Sequence, residues 1–216
     1  MESQILSFQV TAFTNIDIEI AKLFVKSFDE NYKKQSLPAA NIKGAPLFRV
    51  DSLSGEESIN ISLERIDCFY SAYDMSFVRA FLQHLSDFNS VHALEVSRIA
   101  INYVELYLDN DFVLVDKLNE HFRFNDVFGK SQEIMFRLNN EQTFNQMKIN
   151  VITTLQSGSM TNNLTFEDAN GIVVHYDINN KPVKNIEFDK INTYFDKLNE
   201  ILGSQQDKIG ELLANG

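Results

Sequence analysis

Val96–Leu108 reads VSRIAINYVELYL, thirteen residues in which only Arg98, Asn102 and Glu105 are strongly polar. Val96, Ala100, Val104, Leu106 and Leu108 fall on one side of an extended chain, and Ile99, Ile101, Tyr103 and Tyr107 on the other. A strand apolar on both sides is covered on both, or first on one and then on the other. The stretch lies near the middle of 216 residues, with similar-looking material before and after it.

Upstream, Ile5–Phe13 alternates as a strand. Thr14-Asn15-Ile16-Asp17 has the spacing of a capping box, and Ile16, Ile20, Leu23, Phe24 and Phe28 follow at helical spacing to about Asn31. Gln35–Pro46 reads as a loop, and Leu47–Leu53 as a strand turned at Ser54-Gly55-Glu56-Glu57. Ile59, Ile61 and Leu63 share a face before the parity switches to Ile66, Cys68 and Tyr70. That slip requires a bulge or a turn near Glu64-Arg65. Asp74 is placed to cap a helix bearing Phe77, Val78, Phe81, Leu82, Leu85 and Phe88.

Downstream the order repeats. Asp111–Arg123 predicts a short helix, and strands are expected around Ile134–Leu138 and Met147–Leu155. Gly158–Asn163 reads as a loop; Leu164–Glu167 and Ile172–Ile178 read as a hairpin about Asn170-Gly171, a type I′ turn signal. Asn185 is expected to cap a last helix carrying Ile191, Tyr194, Phe195, Leu198, Ile201 and Leu202. Gly203 then ends or kinks it, with a further helical piece at Ile209, Leu212 and Leu213. Strand–helix–strands–helix thus occurs twice, over about 1–93 and 94–216, in one domain of two pseudo-repeated halves. Joined edge to edge, they make an α+β fold: a mainly antiparallel curved sheet with helices packed on one face. The arrangement resembles the saddle of TATA-binding-like folds, a likeness of topology that implies no function.

Composition narrows the function. The formal net charge is −11, and 19 basic residues are scattered among 30 acidic ones. Phosphate backbones are bound by clustered Lys and Arg, so direct basic-patch binding of nucleic acid is not expected. The chain has no apolar run long enough to cross a bilayer, and its N-terminus does not read as a signal peptide, so no membrane association is expected. A lone Cys68 cannot pair internally, which favours a reducing, cytoplasmic setting.

No nucleophile constellation, metal-ligand spacing or Gly-rich phosphate loop emerges, so neither an enzyme nor a cofactor is expected. Asp109-Asn110-Asp111 follows a strand and precedes a helix, where Asp and Asn serve as turn and cap residues. Arg98 and Asn102 share one strand face and Tyr103 the other. Arg98 either holds an anionic group or is a structural guanidinium satisfied by an acidic neighbour.

At Arg98-Ile99-Ala100-Ile101-Asn102-Tyr103-Val104-Glu105 the chain resembles a sporadically distributed prokaryotic family of uncharacterised proteins with a central motif close to R-I-G-L-R-Y-I-N. Arg98, Ile99 and Tyr103 match; Ala100, Asn102 and Glu105 depart from it. The resemblance implies no chemistry, and a distribution typical of defence, counter-defence, toxin or immunity proteins. The expected function is a non-enzymatic factor of bacterial or phage origin that binds another protein. The alternative is a small-ligand or nucleotide-signal binder with a pocket between sheet and helices, lined by Arg98, Asn102, Tyr103 and Arg65. The apolar residues beyond Gly203 point to a homodimer through the C-terminal helix or to a docked tail.

Overall fold

The computed structural model describes residues 3–38, 44–109, 113–122, 133–161 and 168–215. In chain order the first elements are β1 (Ser3–Thr14), α1 (Ile18–Ser27), β2 (Tyr32–Ser36), β3 (Phe48–Ser52), β4 (Glu57–Ile61), β5 (Arg65–Tyr70) and α2 (Met75–His92). Then come β6 (Val96–Leu108), α3 (Val113–His121), β7 (Met135–Phe144), β8 (Met147–Thr161), β9 (Asp168–Asn180) and α4 (Ile191–Asn215). The nine strands form one open, curved, antiparallel sheet ordered β2-β3-β4-β5-β1-β6-β9-β8-β7. The fold is α+β.

The middle of that order is β6, paired with β1 on one side and β9 on the other. Around β1 the strands β5, β4, β3 and β2 run outward as a meander; around β6 the strands β9, β8 and β7 do the same. Cys68, Val10, Ile101, Ile178 and Val151 stand opposite one another across five strands, each at most 1% exposed. Full burial of such side chains contributes roughly 1.5–3 kcal/mol apiece. That row lies on the face covered by the helices, where Phe24, Phe81, Leu85, Phe195, Leu198 and Leu202 complete the core.

Local chemistry starts the first three helices, although α1 is capped by Asp17 and not by the Thr14 of the capping-box spacing. The Asp17 side chain accepts from the Ile20 N–H at 2.8 Å, and that of Asp74 from the Ser76 N–H at 2.7 Å. Asp109 accepts from the N–H groups of Leu114 and Val115, at 2.9 and 3.2 Å, which makes it the cap of α3. Asn110, Asp111 and Arg123 lie outside the described residues. The slip before Ile66 is a turn: Ser62 Oγ accepts from the backbone of Arg65 and starts β5 afresh.

Four further expectations are corrected. The N-terminal helix, expected to reach about Asn31, stops at Ser27, and the edge strand β2 (Tyr32–Ser36) takes in Gln35 and Ser36, expected to be loop. Asn170 and Gly171 do not turn: they sit inside β9, opposite Ser159 and Gly158, so Gly158–Thr161 is strand, not loop. Leu164–Glu167 lies outside the described residues. Asn185 does not cap α4; its side-chain oxygen accepts from the Val96 N–H at 3.0 Å and ties the incoming chain to β6. Finally, α4 passes through Gly203 without a break. Ile209 and Leu213 are buried in the chain's own core, with Leu212 packed against it, so the apolar surplus that suggested a helical dimer is already covered. Among the described residues no helix is long and apolar enough to cross a membrane.

Candidate functional site on the open sheet face

Alternation along the strands decides what each face carries. With Val10 and Ile101 under the helices, Gln9, Thr11 and Phe13 of β1 point the other way, beside Asn102, Ala100 and Arg98 of β6. This open face is largely polar. Its rows run Asp67–Thr11–Ala100–Asn179–Asn150 and Phe69–Gln9–Asn102–Asp177–Ile152 across five strands.

Two hydrogen-bonded clusters stiffen it. Asp67 accepts from Thr11 Oγ1 at 2.8 Å and Gln9 Nε2 at 2.9 Å, and pairs with Arg65 Nε at 2.8 Å. Thr11 and Asp67 are buried, so the carboxylate is satisfied on nearly every side. Across β6, Asn150 donates to Asn179 at 3.2 Å, and Asn179 to Asp177 at 2.8 Å.

Arg98 lies between these clusters. Its guanidinium carbon stands 3.6 Å from the centre of the Phe13 ring, a cation–π contact. Partial burial lowers its pKa, while the nearby Asp177 opposes that shift. Its Nε is buried with no hydrogen-bond partner. Arg65 stands opposite Phe13 on the other neighbouring strand, its guanidinium turned to Asp67. Asn102 sits between Gln9 and Asp177 in the adjacent row but one.

The register thus brings Arg65, Arg98 and Asn102 onto one surface and leaves Tyr103 out. Tyr103 points under the helices, 4% exposed, its ring within 5.6–6.1 Å of Tyr73, Phe8 and Tyr176. Burial, then the Glu105 carboxylate, pushes its pKa up to about 12. The pocket expected from Arg98, Asn102 and Tyr103 together does not form, because adjacent strand residues face opposite ways. Sequence reasoning missed Gln9, Thr11, Asp67, Asp177 and Asn179; polarity at alternate positions was the available signal, but their convergence depends on strand order.

Charge is distributed unevenly. Lys33, Arg49, Arg65, Arg98, Arg137 and Lys148 lie on the open face with Asp51, Asp67, Asp177 and Glu141, a cationic surplus on a chain of net charge −11.

Clefts open elsewhere, between the sheet and helices of the first half. One of about 400 Å³ is lined by Asp29, Tyr32, Glu56, Glu57 and Phe77, and a neighbour of about 270 Å³ by Phe28, Asp29, Tyr32, Glu57, Phe81 and His84. Neither includes Lys or Arg. Glu57, at their shared wall, is 8% exposed and accepts from Tyr32 OH at 2.8 Å and Cys68 Sγ at 3.1 Å. Burial, then Glu57, raises the pKa of the Cys68 thiol, which keeps it protonated as a donor to Glu57. Burial also lowers the pKa of His84, whose Nε2 lies 2.8 Å from Ser27 Oγ.

No family model matches the chain, and no curated protein matches it either.

Proposed function

We propose that the protein is a non-catalytic binding factor that docks an acidic protein surface on its open sheet face. The observation that carries this reading is the cationic surplus on the face that none of the described helices covers, in an otherwise strongly acidic chain. Complementary potentials steer encounter and fix register. The Asp67 and Asp177 clusters hold the centre of the face in shape before a partner arrives, which lowers the cost of ordering it. Arg98, its guanidinium held over Phe13 on this face, is a cation placed to meet a partner's carboxylate. The resemblance of Arg98–Glu105 to a family of scattered bacterial genes supports an inhibitory, immunity or defence role.

Photo-crosslinking tests it. A probe at Asn102, in cells making the full chain, should trap one acidic protein, and Arg98→Glu should abolish the adduct. A probe at the exposed Lys22 of α1 should trap nothing in common. Adducts indifferent to Arg98→Glu would overturn the assignment of the face.

The clefts support a second reading, a small-ligand binder. Their volume suits a metabolite, and carboxylates beside Tyr32, Phe28 and Phe77 suit an organic cation, not a nucleotide phosphate. Spermidine at a hundred times its dissociation constant should stabilise the fold by about 2.7 kcal/mol. Glu57→Gln should remove that shift; a flat response in the unsubstituted protein would end this reading.

A further inference from the structure

The two edges of the sheet are built differently. The edge strand β2 has five residues and carries Lys33 and Lys34, devices that discourage another strand from adding on. The other edge, β7, has ten residues, MFRLNNEQTF, with neither Lys nor Pro. Its ladder with β8 runs from Met135 to Phe144 without a register shift. Among the described residues no strand pairs with its outer side. Met135 and Leu138 are 68% and 53% exposed there.

We propose that the chain dimerises through this edge, β7 pairing antiparallel with β7 of a second copy to make one continuous sheet. A two-fold axis normal to the sheet keeps each residue on its own face, so only an even register is allowed. Centred on Asn139, the strand is self-complementary in charge. Arg137 then faces Glu141 of the other copy, twice over, on the open face. Arg137 has no ion-pair partner among the described residues. Glu141 is held in place by Lys148 at 3.0 Å and by Lys181. On the helix-covered face the two Leu138 side chains become diagonal neighbours across the axis, removing exposed apolar surface from water. Backbone hydrogen bonds between the edges supply the rest, as in strand addition generally.

Sedimentation equilibrium of the full chain across the micromolar range should show the mean mass rising from one chain toward two. Arg137→Glu should weaken dimerisation about ten-fold, since it turns two cross-axis attractions into repulsions. Leu138→Lys should leave a monomer with unchanged circular dichroism. Asn139→Cys should give a disulfide-linked dimer under mild oxidation, because the axis sets that residue against its own copy; the native Cys68 is fully buried and cannot substitute. A mass of one chain throughout the range would overturn the proposal. So would a doubled mass without the Asn139→Cys cross-link, which would place the interface elsewhere.

Discussion

Glu105 shows how much one strand position can hold. It sits among apolar residues of β6 yet is only 4% exposed, under the helices. Tyr107 OH donates to it at 2.6 Å and Tyr176 OH at 2.9 Å, and Gln206 of α4 approaches to 3.5 Å. No cation is paired with it among the described ion pairs. Two phenols therefore replace the water that burial removed. Truncation strands both hydroxyls and opens a void, so Glu105→Ala should cost about 3 kcal/mol. Glu105→Gln keeps an acceptor oxygen and should cost less than half of that. Urea titrations of the three proteins check the ranking, and equal losses for Ala and Gln would show the hydrogen bonds to be irrelevant. Glu57 repeats the device in the first half, with Tyr32 and Cys68 as donors.

Among the elements, β9 carries the sharpest backbone constraint. A Cβ on Gly171 would lie 2.2 Å from the Tyr107 carbonyl oxygen, closer than any backbone tolerates without movement. Gly158, directly opposite on β8, has open space. Gly171→Ala should therefore push β9 off β6 at a cost of about 3 kcal/mol or more, whereas Gly158→Ala should be neutral or slightly stabilising. Thermal melts of the pair, one rising and one falling, are the expected result; similar melts would contradict the close approach. The same glycine explains a misreading. Asn-Gly between alternating segments signals a turn, but here Gly171 serves strand-to-strand contact, a demand made by β6, sixty-odd residues earlier in sequence. Val96–Leu108, the Asp74 cap and the order of the helices were legible because they rest on local periodicity and capping; the capping-box spacing put the start of α1 at Thr14, and the structure caps it three residues on, at Asp17. Tyr32–Ser36 was not, since a short edge strand with two lysines has little apolar pattern to show. The open-face site was half legible: alternation separates Arg98 and Asn102 from Tyr103, but which strands lie beside β6 is a long-range fact that β6 alone does not contain.

At the scale of the molecule, the question is whether two meanders sharing one seam behave as one body. The β1–β6 ladder buries Phe8, Val10 and Ala12 against Tyr103, Ile101 and Ile99, so either half alone would bare an apolar strand edge. Tyrosine ionisation reports on both sides of the seam. Burial, then Glu57, raises Tyr32; burial, then Cys68, raises Tyr70; burial, then Glu105, raises Tyr107 and Tyr176, all from an ordinary value of 10.0. A phenol whose pKa is higher folded than unfolded leaves stability intact below pH 10 and withdraws it above, because only the unfolded chain then sheds its proton. Stability should fall steeply from about pH 10 upward as several phenols act together. If the seam binds the halves into one cooperative unit, tyrosinate absorbance and loss of far-ultraviolet circular dichroism should rise in a single coincident step. Two separated steps, with Tyr32→Phe shifting only one of them, would mean that the halves unfold independently despite their shared sheet.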